Sequence, residues 1–433
     1  VDVKIPFRQW TGDDGYSKSG AFRDRVHREF TQESFGSFGE FYADYNAPFD
    51  DLWSAVWPEE GHVVSDGGIG GAVDVDYEGE QEIFAWYNMI DLPLNSWFKI
   101  IGGVRYETTE LSTVNNPEIN AFWVPVGSNS SLKLSTTPGA ADVSFKQEDV
   151  LPSMGFSFTP IEQITFRGSY SKTVARQTFK ELSPIIQQEY LGGPVFVGNS
   201  ELQMSGVTNY DTRLDYTPYD GGLVSFSWFY KKIINPIEYV QQTTNEFGFT
   251  RPVNYAEGWL SGFEIEGRQK LGQFFESLEG LSIGANATFI ESEVGISYDD
   301  VKIFMDRGLQ NPPTTRDMLN APEYLYNIYL TYDSERFGTK MGLFYTVKGD
   351  TLVTGAGQER GHFVPDVYAK EYGTLNLSLS KSLGEDFELT FKAKNLTNPK
   401  IQEVYRSEFI DDEPIKASYT KGIDYTLGLS GKW

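Results

Sequence analysis

Aromatic and acidic side chains are concentrated in one stretch of the chain, residues 31–77. No Lys or Arg occurs between Arg28 and Lys99. Exposed aromatic rings can stack on sugar faces, and carboxylates accept hydrogen bonds from hydroxyl groups. This chemistry predicts a substrate-binding loop, with the candidate residues Tyr42, Tyr45, Asp50, Asp51, Trp53 and Trp57. The alternative is that these aromatics pack the loop on itself or form a membrane-interface girdle. Trp123, in a second predicted loop, has the same two interpretations and is also a candidate.

Catalytic chemistry has little support in the residue types. Cysteine is absent, and His27, His62 and His362 lack the spacing of a metal site. Acidic pairs such as Asp411 with Asp412 lie in predicted loops. Solvation, or divalent-cation bridging to lipopolysaccharide, explains such pairs better than general acid–base catalysis. We therefore expect a protein that is not an enzyme, with no catalytic residue, no metal and no cofactor.

Four arginines fall on the polar side of alternating segments: Arg105, Arg167, Arg213 and Arg268. Their expected partners are carboxylates on the same side of neighbouring segments: Asp211, Asp215, Glu264 and Glu266. Charged pairs of this kind are expected on the inner face of a polar barrel. We interpret them as structural ion pairs.

The elements that must position these residues are strands. In residues 423–433, Ile423, Tyr425, Leu427, Leu429 and Trp433 alternate with polar residues and glycine. This period of two places all five on one face of a strand. The same pattern recurs upstream, for example at Phe387, Leu389 and Phe391, at Val224, Phe226 and Trp228, and at Phe98, Ile100, Val104 and Tyr106.

The lengths of the strands and links favour a membrane barrel. Several alternating runs exceed the roughly 9–11 residues that cross a bilayer at a tilt. Short links alternate with longer ones near 31–77, 114–141, 177–203, 296–323 and 356–366. Short periplasmic turns and long extracellular loops alternate in this way in outer-membrane barrels. We expect an all-β, antiparallel transmembrane barrel in which residues 1–433 form one unit.

Composition agrees with this fold class and excludes some partners. The 433 residues include 25 Tyr, 31 Phe and 43 Gly, with a net charge of −25. Tyr and Phe favour strands, and the mean hydropathy of −0.38 is compatible with strands of which alternate residues face lipid. Phosphate binding needs clustered Lys and Arg, so nucleic acid is not an expected partner.

The strand count leaves other classes open. About fifteen strands are expected, and an odd number does not make a complete bacterial single-chain barrel. An open sheet would also leave unpaired backbone groups in lipid. A self-contained porin-like channel of 14 or 16 strands is one alternative. A soluble β-rich binding protein such as a propeller is another, although no repeat of about 40–45 residues is evident.

A series of short segments, in order along most of the chain, resembles TonB-dependent outer-membrane receptors. They are GVRYE at 103–107, LPS at 151–153, SYSKT at 169–173, FKELSP at 179–184, GNSEL at 198–202, NYD at 209–211, FYKK at 229–232 and NLTNPK at 395–400. The last strand also has the terminal aromatic of that family. The resemblance is closest to the proteobacterial, carbohydrate-associated branch. Ser200, Gln177 and Trp433 depart from its usual Pro, Pro and Phe.

The resemblance implies a 22-stranded barrel filled by an N-terminal plug. This chain would supply about fifteen C-terminal strands, with the plug and the remaining strands on another piece. The implied partners are that plug, the inner-membrane TonB complex, outer-membrane lipid or lipopolysaccharide, and a possible surface lipoprotein. The implied function is active, TonB-dependent uptake of a bulky nutrient across the outer membrane of a Gram-negative bacterium. An oligosaccharide suits the acidic, aromatic loop better than a ferric siderophore, which is the alternative ligand.

Overall fold

A computed structural model describes most of the chain. The described residues are 1–31, 36–38, 48, 63–65, 75–117, 121–128, 130–184, 186–188, 195–243, 248–359 and 362–431. Almost all of the regular structure in these described residues is β-strand, with two short α-helices and three single turns of 3₁₀-helix at Leu134–Thr136, Leu271–Gln273 and Glu276–Leu278.

The strands are numbered in chain order. The first ten are β1 (Asp2–Arg8), β2 (Asp14–Phe30), β3 (Gly36–Phe38), β4 (Val63–Ser65), β5 (Val75–Asn95), β6 (Phe98–Pro117), β7 (Phe122–Trp123), β8 (Leu132–Lys133), β9 (Val143–Ile161) and β10 (Ile164–Ala175). Helix α1 (Phe179–Leu182) precedes β11 (Ile186–Gln188), β12 (Val195–Val197), β13 (Ser205–Tyr216), β14 (Gly222–Ile234), β15 (Ile237–Thr243), β16 (Gly248–Asn254), β17 (Glu257–Lys270) and β18 (Leu281–Gly295).

Helix α2 (Tyr298–Asp306) begins the last third of the chain. It is followed by β19 (Thr315–Arg316), β20 (Tyr324–Ser334), β21 (Thr339–Lys348), β22 (Thr351–Thr354), β23 (Gly357–Glu359), β24 (His362–Val364), β25 (Asp366–Ala369), β26 (Tyr372–Leu383), β27 (Phe387–Lys394), β28 (Ile401–Arg406), β29 (Ile415–Tyr419) and β30 (Asp424–Gly431).

One large antiparallel sheet contains the long strands. Its order is β1-β2-β5-β6-β9-β10-β13-β14-β17-β18-β20-β21-β26-β27-β30, with β19 paired to β18. Every neighbour on this path is also the next long strand in the chain, so the sheet is an up-and-down meander. Within the described residues the sheet is open, because β1 pairs only with β2 and β30 only with β27.

The two faces of this sheet differ in polarity, as the alternation predicted. Leu214 pairs with Phe166 and Phe226 on one face, whereas Arg213 pairs with Arg167 and Ser227 on the other. We call these the apolar face and the polar face. The apolar face is open to its surroundings: Leu427 is 72% exposed. Because each Å² of apolar surface left in water costs about 25 cal/mol, a face of this extent favours a lipid environment.

The two ends of the sheet have different connections. At the turn end, short links such as 96–97, 162–163 and 384–386 join the strands. Gly384 lies in the last of these links. Its φ of +75° is a backbone conformation that residues with a side chain rarely adopt. At the loop end, longer connections join β2 to β5, β6 to β9, β10 to β13, β14 to β17, β18 to β20, β21 to β26 and β27 to β30.

The connections at the loop end fold into structures of their own. They contain both α-helices and two four-stranded sheets, β11-β12-β16-β15 and β22-β25-β28-β29. Strand β12 pairs with β16 in parallel, and this pairing joins the β10–β13 connection to the β14–β17 connection. The clusters of buried apolar side chains, such as Val240, Tyr255, Val294 and Met318, also lie at this end. The loop end is therefore where this chain has its packed core.

None of the helices in the described part of the chain has the length and apolar character needed to span a membrane.

Candidate functional site

Six of the seven predicted binding residues lie outside the described residues: Tyr42, Tyr45, Asp50, Asp51, Trp53 and Trp57. The seventh, Trp123, lies in β7 at the loop end and pairs with Leu132 of β8. Its half-buried side chain packs against a buried cluster that includes Tyr77 and Leu111. This position agrees with the packing interpretation of Trp123. Its stacking on a ligand stays a prediction.

The predicted ion pairs on the polar face are present in part. Arg213 donates from Nε to Asp215 at 2.7 Å and from Nη2 to Glu266 at 2.8 Å, and Arg167 also pairs with Asp215. The predicted partners Asp215 and Glu266 are confirmed. The partner of Arg105 is instead Glu107, which also pairs with Arg176.

The loop end contains a buried charged network that the sequence did not predict. At its centre, Arg316 of β19 has only 4% of its side chain exposed. Its Nη2 donates to the Tyr255 hydroxyl at 3.3 Å, and Tyr255 donates in turn to Asp300 at 2.9 Å. Its Nη1 lies 3.7 Å from a carboxylate oxygen of Asp366. We call this group, together with Glu238, the Arg316 network.

The Arg316 network joins three connections. Glu238 and Tyr255 belong to the β14–β17 connection, Asp300 and Arg316 to the β18–β20 connection, and Asp366 to the β21–β26 connection. The backbone N–H groups of Leu319 and Ala356 donate to Glu238 and Asp366, respectively. A buried carboxylate needs such donors because it has lost its water. The network therefore fixes the relative positions of three loops.

Burial dominates the titration of two of the three acids in the network, Glu238 and Asp366. Loss of hydration raises the pKa of Glu238 to about 7, even though the Arg316 charge and the Leu319 N–H act in the opposite direction. Burial also raises the pKa of Asp366, again against the charge of Arg316. One guanidinium therefore does not fully compensate the loss of hydration at Glu238 and Asp366.

A second charged group lies nearby and is more open to water. Asp350 bonds to Lys370 at 2.9 Å and to Arg406, and both bases also contact Glu413. The guanidinium of Arg406 lies 4.3 Å above the ring of Tyr368. We call this the Asp350 network. It ties the two ends of the β21–β26 connection to the β27–β30 connection.

A cavity of 250 Å³ lies beside the Arg316 network. Its walls come from four connections, and the polar side chains that line it are Ser128, Gln241, Gln242, Thr243, Asp300, Arg307 and Gln358. Asp300 therefore belongs to both the network and the cavity wall. A cavity with convergent polar groups of both hydrogen-bonding types is a candidate ligand site.

Two close backbone contacts shape this cavity. The β21–β26 connection lies against β15 through a bond from the Gly355 N–H to the Tyr239 carbonyl at 2.7 Å. A side chain at Gly357 would collide with the Gln241 carbonyl, so only glycine fits there. Arg251 does not line the cavity, but it is fully buried and donates to the Pro125 carbonyl at 3.2 Å, which holds the segment that carries Ser128.

The comparisons with known proteins are consistent with this architecture. Residues 4–396 match the family model described as "TonB dependent receptor-like, beta-barrel". The chain belongs to this family. The resemblance in the sequence is thereby confirmed at the level of the family, whereas its carbohydrate-associated branch gains no support. No curated protein sequence matches the chain.

Several solved structures share the fold. The ferric-catecholate import receptor Fiu from E. coli has 13% identity and a TM-score of 0.55, over 99% of this chain and 53% of that protein. The ferric enterobactin receptor PfeA from Pseudomonas aeruginosa has 13% identity and a TM-score of 0.52, over 99% of this chain and 61% of that protein. The FrpB iron transporter from Neisseria meningitidis has 13% identity and a TM-score of 0.53, over 97% of this chain and 53% of that protein. This chain thus spans little more than half of their length.

The family model describes a receptor, in agreement with the expectation that the chain is not an enzyme. Within the part of the chain that the structure describes, no three His, Cys, Asp or Glu side chains converge as metal ligands.

Sequence reasoning missed the Arg316 network for a physical reason. Glu238, Arg316 and Asp366 are far apart in the chain and stand in ordinary polar surroundings. Their burial results from the packing of three connections, which no local pattern records. The glycines at 355 and 357 were the available signal, because closely spaced glycines in a loop often mark a close backbone approach.

Proposed function

We propose that this chain forms part of the barrel wall and outer loops of a TonB-dependent receptor that takes up a bulky nutrient through the outer membrane of a Gram-negative bacterium. The family match over residues 4–396 carries this proposal. The apolar face of the sheet would contact lipid and the polar face would line the lumen. The plug, the remaining strands and the TonB complex are the proposed partners, together with outer-membrane lipid.

The loop end is proposed to face outward and to bind the ligand first. Long connections lie on the extracellular side of outer-membrane barrels, and here they enclose the 250 Å³ cavity. Tyr42, Tyr45, Trp53 and Trp57 fall between β2 and β5 in the sequence, outside the described residues. We keep the aromatic and acidic residues of this stretch as candidate ligand contacts.

Two ligand classes suit this receptor. A neutral oligosaccharide is favoured by the cavity, which amide and hydroxyl groups line, and by the net charge of −25, which repels anions. A ferric chelate is favoured by Fiu and PfeA, which share the fold and whose names specify ferric ligands.

Deletion of the gene would test the function and separate the ligands. We expect the deletion strain to lose growth on one ligand class supplied as the limiting nutrient, with recovery when the gene is restored. Growth that depends on iron chelates and is independent of glycans would exclude the oligosaccharide. Unchanged growth on both classes would contradict the proposed uptake.

Electrical conductance would test the receptor against a porin. In a planar bilayer the full-length receptor should conduct almost no current, because a plug fills its lumen. A steady, large ion conductance would instead indicate an open diffusion channel.

A further inference from the structure

The cavity at the loop end is small compared with sites that enclose a whole ligand. Its 250 Å³ lies below the roughly 300–1,000 Å³ of pockets for drug-sized molecules. At about 30 Å³ for each water, it has room for roughly eight waters. A single sugar ring has this size, whereas a metal chelate with several aromatic arms is much larger.

The polar groups of the cavity offer both donors and acceptors. Arg307 donates from Nε to Gln358 Oε1 at 3.1 Å. This bond uses one of the five N–H groups of the guanidinium and leaves the amide nitrogen of Gln358 as a donor. Gln242 adds a second amide. A hydroxyl group is both donor and acceptor, so a polyhydroxylated ring matches such a mixture.

Asp300 is held in place without using its full capacity. Its Oδ2 accepts from the Tyr255 hydroxyl at 2.9 Å and from the Ser297 hydroxyl at 2.8 Å. Neither bond requires Oδ1. Because Tyr255 is itself bonded to Arg316, the buried network fixes the orientation of this carboxylate. Arg316 would thus act as a positioning residue for the cavity.

The charges of the cavity nearly balance. Asp300 and Arg307 are the two ionised side chains among its lining residues, and they have opposite signs. An anionic ligand would meet the carboxylate, and a cationic one would meet the guanidinium. A neutral ligand with many hydroxyl groups avoids both repulsions.

We infer that this cavity is a binding subsite for one ring of a neutral oligosaccharide, with Gln242, Asp300, Arg307 and Gln358 as its polar contacts. The inference deepens the proposed function and rests on it. The rest of the oligosaccharide extends out of the cavity towards the remaining connections, because the cavity has room for only one ring.

Binding by the full-length receptor in detergent tests the inference. A broad array of neutral glycans identifies the glycan that binds best, and titration calorimetry then measures its affinity. Loss of a charged hydrogen-bond donor from a binding site weakens binding by about tenfold or more. We expect this loss for Arg307→Ala and a smaller loss for Gln242→Ala.

Lys302→Ala is the matched control. Lys302 is an exposed residue of α2, the helix that ends just before Arg307, and it does not line the cavity. Its substitution by alanine removes the same charge. The affinity of the Lys302→Ala receptor for the best glycan should equal that of the wild type. Equal affinities of the wild type, Arg307→Ala and Gln242→Ala for the best glycan would overturn the subsite.

Two further outcomes separate the inference from the function. If no glycan binds while ferric enterobactin is taken up in a TonB-dependent way, the subsite is wrong and the function stands. If glycan binding depends on Arg307 but no TonB-dependent uptake occurs, the subsite stands and the proposed function fails.

Discussion

The two charged networks at the loop end hold similar residues and differ in how much water reaches them. Arg316 has 4% of its side chain exposed, whereas Arg406 has 29% and Lys370 has 36% exposed. The pKa of Glu238 rises in the first network. In the second, the bonds from Arg406 and Lys370 outweigh burial and hold the pKa of Asp350 below its usual 3.8.

The difference shows what each network contributes. In the Asp350 network two bases, Arg406 and Lys370, face two acids, Asp350 and Glu413, so its ion pairs stabilise the loops at neutral pH. The Arg316 network has one base for three acids, of which Glu238 is fully buried, so the network holds three connections in one arrangement and adds little net stability. Changes to the buried network should therefore have the larger effects.

Removal of the buried base should have the largest effect. Arg316→Met leaves Glu238 and Asp366 without the base that faces both, and breaking a buried pair costs about 3–5 kcal/mol. We expect the three connections to become cleavable by protease while the sheet stays protected. Limited proteolysis with mass spectrometry would show this. Arg336→Met, in the exposed β20–β21 turn, is the control. If the three connections are equally protected from protease in both variants, Arg316 does not hold them in place.

Neutralisation of the buried acid should act in the opposite direction. The pKa of Glu238 is about 7 in the folded protein and near 4.5 when exposed. Stability is therefore lost as pH rises from 4.5 to 7, because the folded state holds the proton longer. At pH 8 the Glu238→Gln variant should gain on the order of 2–3 kcal/mol in the loops. Proteolysis rates measured from pH 5 to 8 should vary for the wild type and stay flat for the variant.

The close approach that shapes the cavity should tolerate no side chain. Gly357→Ala places a methyl group against the Gln241 carbonyl, and overpacking of this kind costs about 1–3 kcal/mol. Hydrogen exchange should rise in β15 and β23. Gly267→Ala is the control, because its added methyl meets nothing within 4 Å. An unchanged exchange pattern for Gly357→Ala would show that the connection does not rest on β15.

Removal of the more exposed acid should have the smallest effect. Asp350→Asn at pH 7 should cost about 1 kcal/mol, since solvent screens its partners. The contribution of Asp350 is present above pH 3.8 and is lost as pH falls through its lowered pKa. The wild type and the variant should therefore converge in loop stability once the pH has fallen below this lowered pKa. A difference that persists there would assign the effect to something other than charge.

Local patterns in the sequence predicted the wall, and they predicted the loops only in part. The alternation at Leu427 and Leu429 is a property of neighbouring residues, so the face of each strand can be read directly. Several of the long connections could also be placed. The connections at 235–256 and 395–423 were not among them, because the strands β15, β16, β28 and β29 within them have the same local appearance as wall strands.

The site depends on contacts that are distant in the chain. The cavity combines Ser128, Gln242, Asp300 and Gln358, which come from four separate connections. Charge alone could not identify Arg316 as buried, because most arginines are exposed. The ion pairs of Arg213 were predictable, since its partners lie on the same face of the sheet, Asp215 on its own strand and Glu266 on the next strand but one.

The TonB dependence of uptake tests the central claim most directly. Cells that carry the full-length receptor should accumulate the labelled ligand that supports their growth, and accumulation should fall to the level of the deletion strain when TonB is removed. Surface binding of the ligand should persist. Accumulation that is equal with and without TonB would contradict the account.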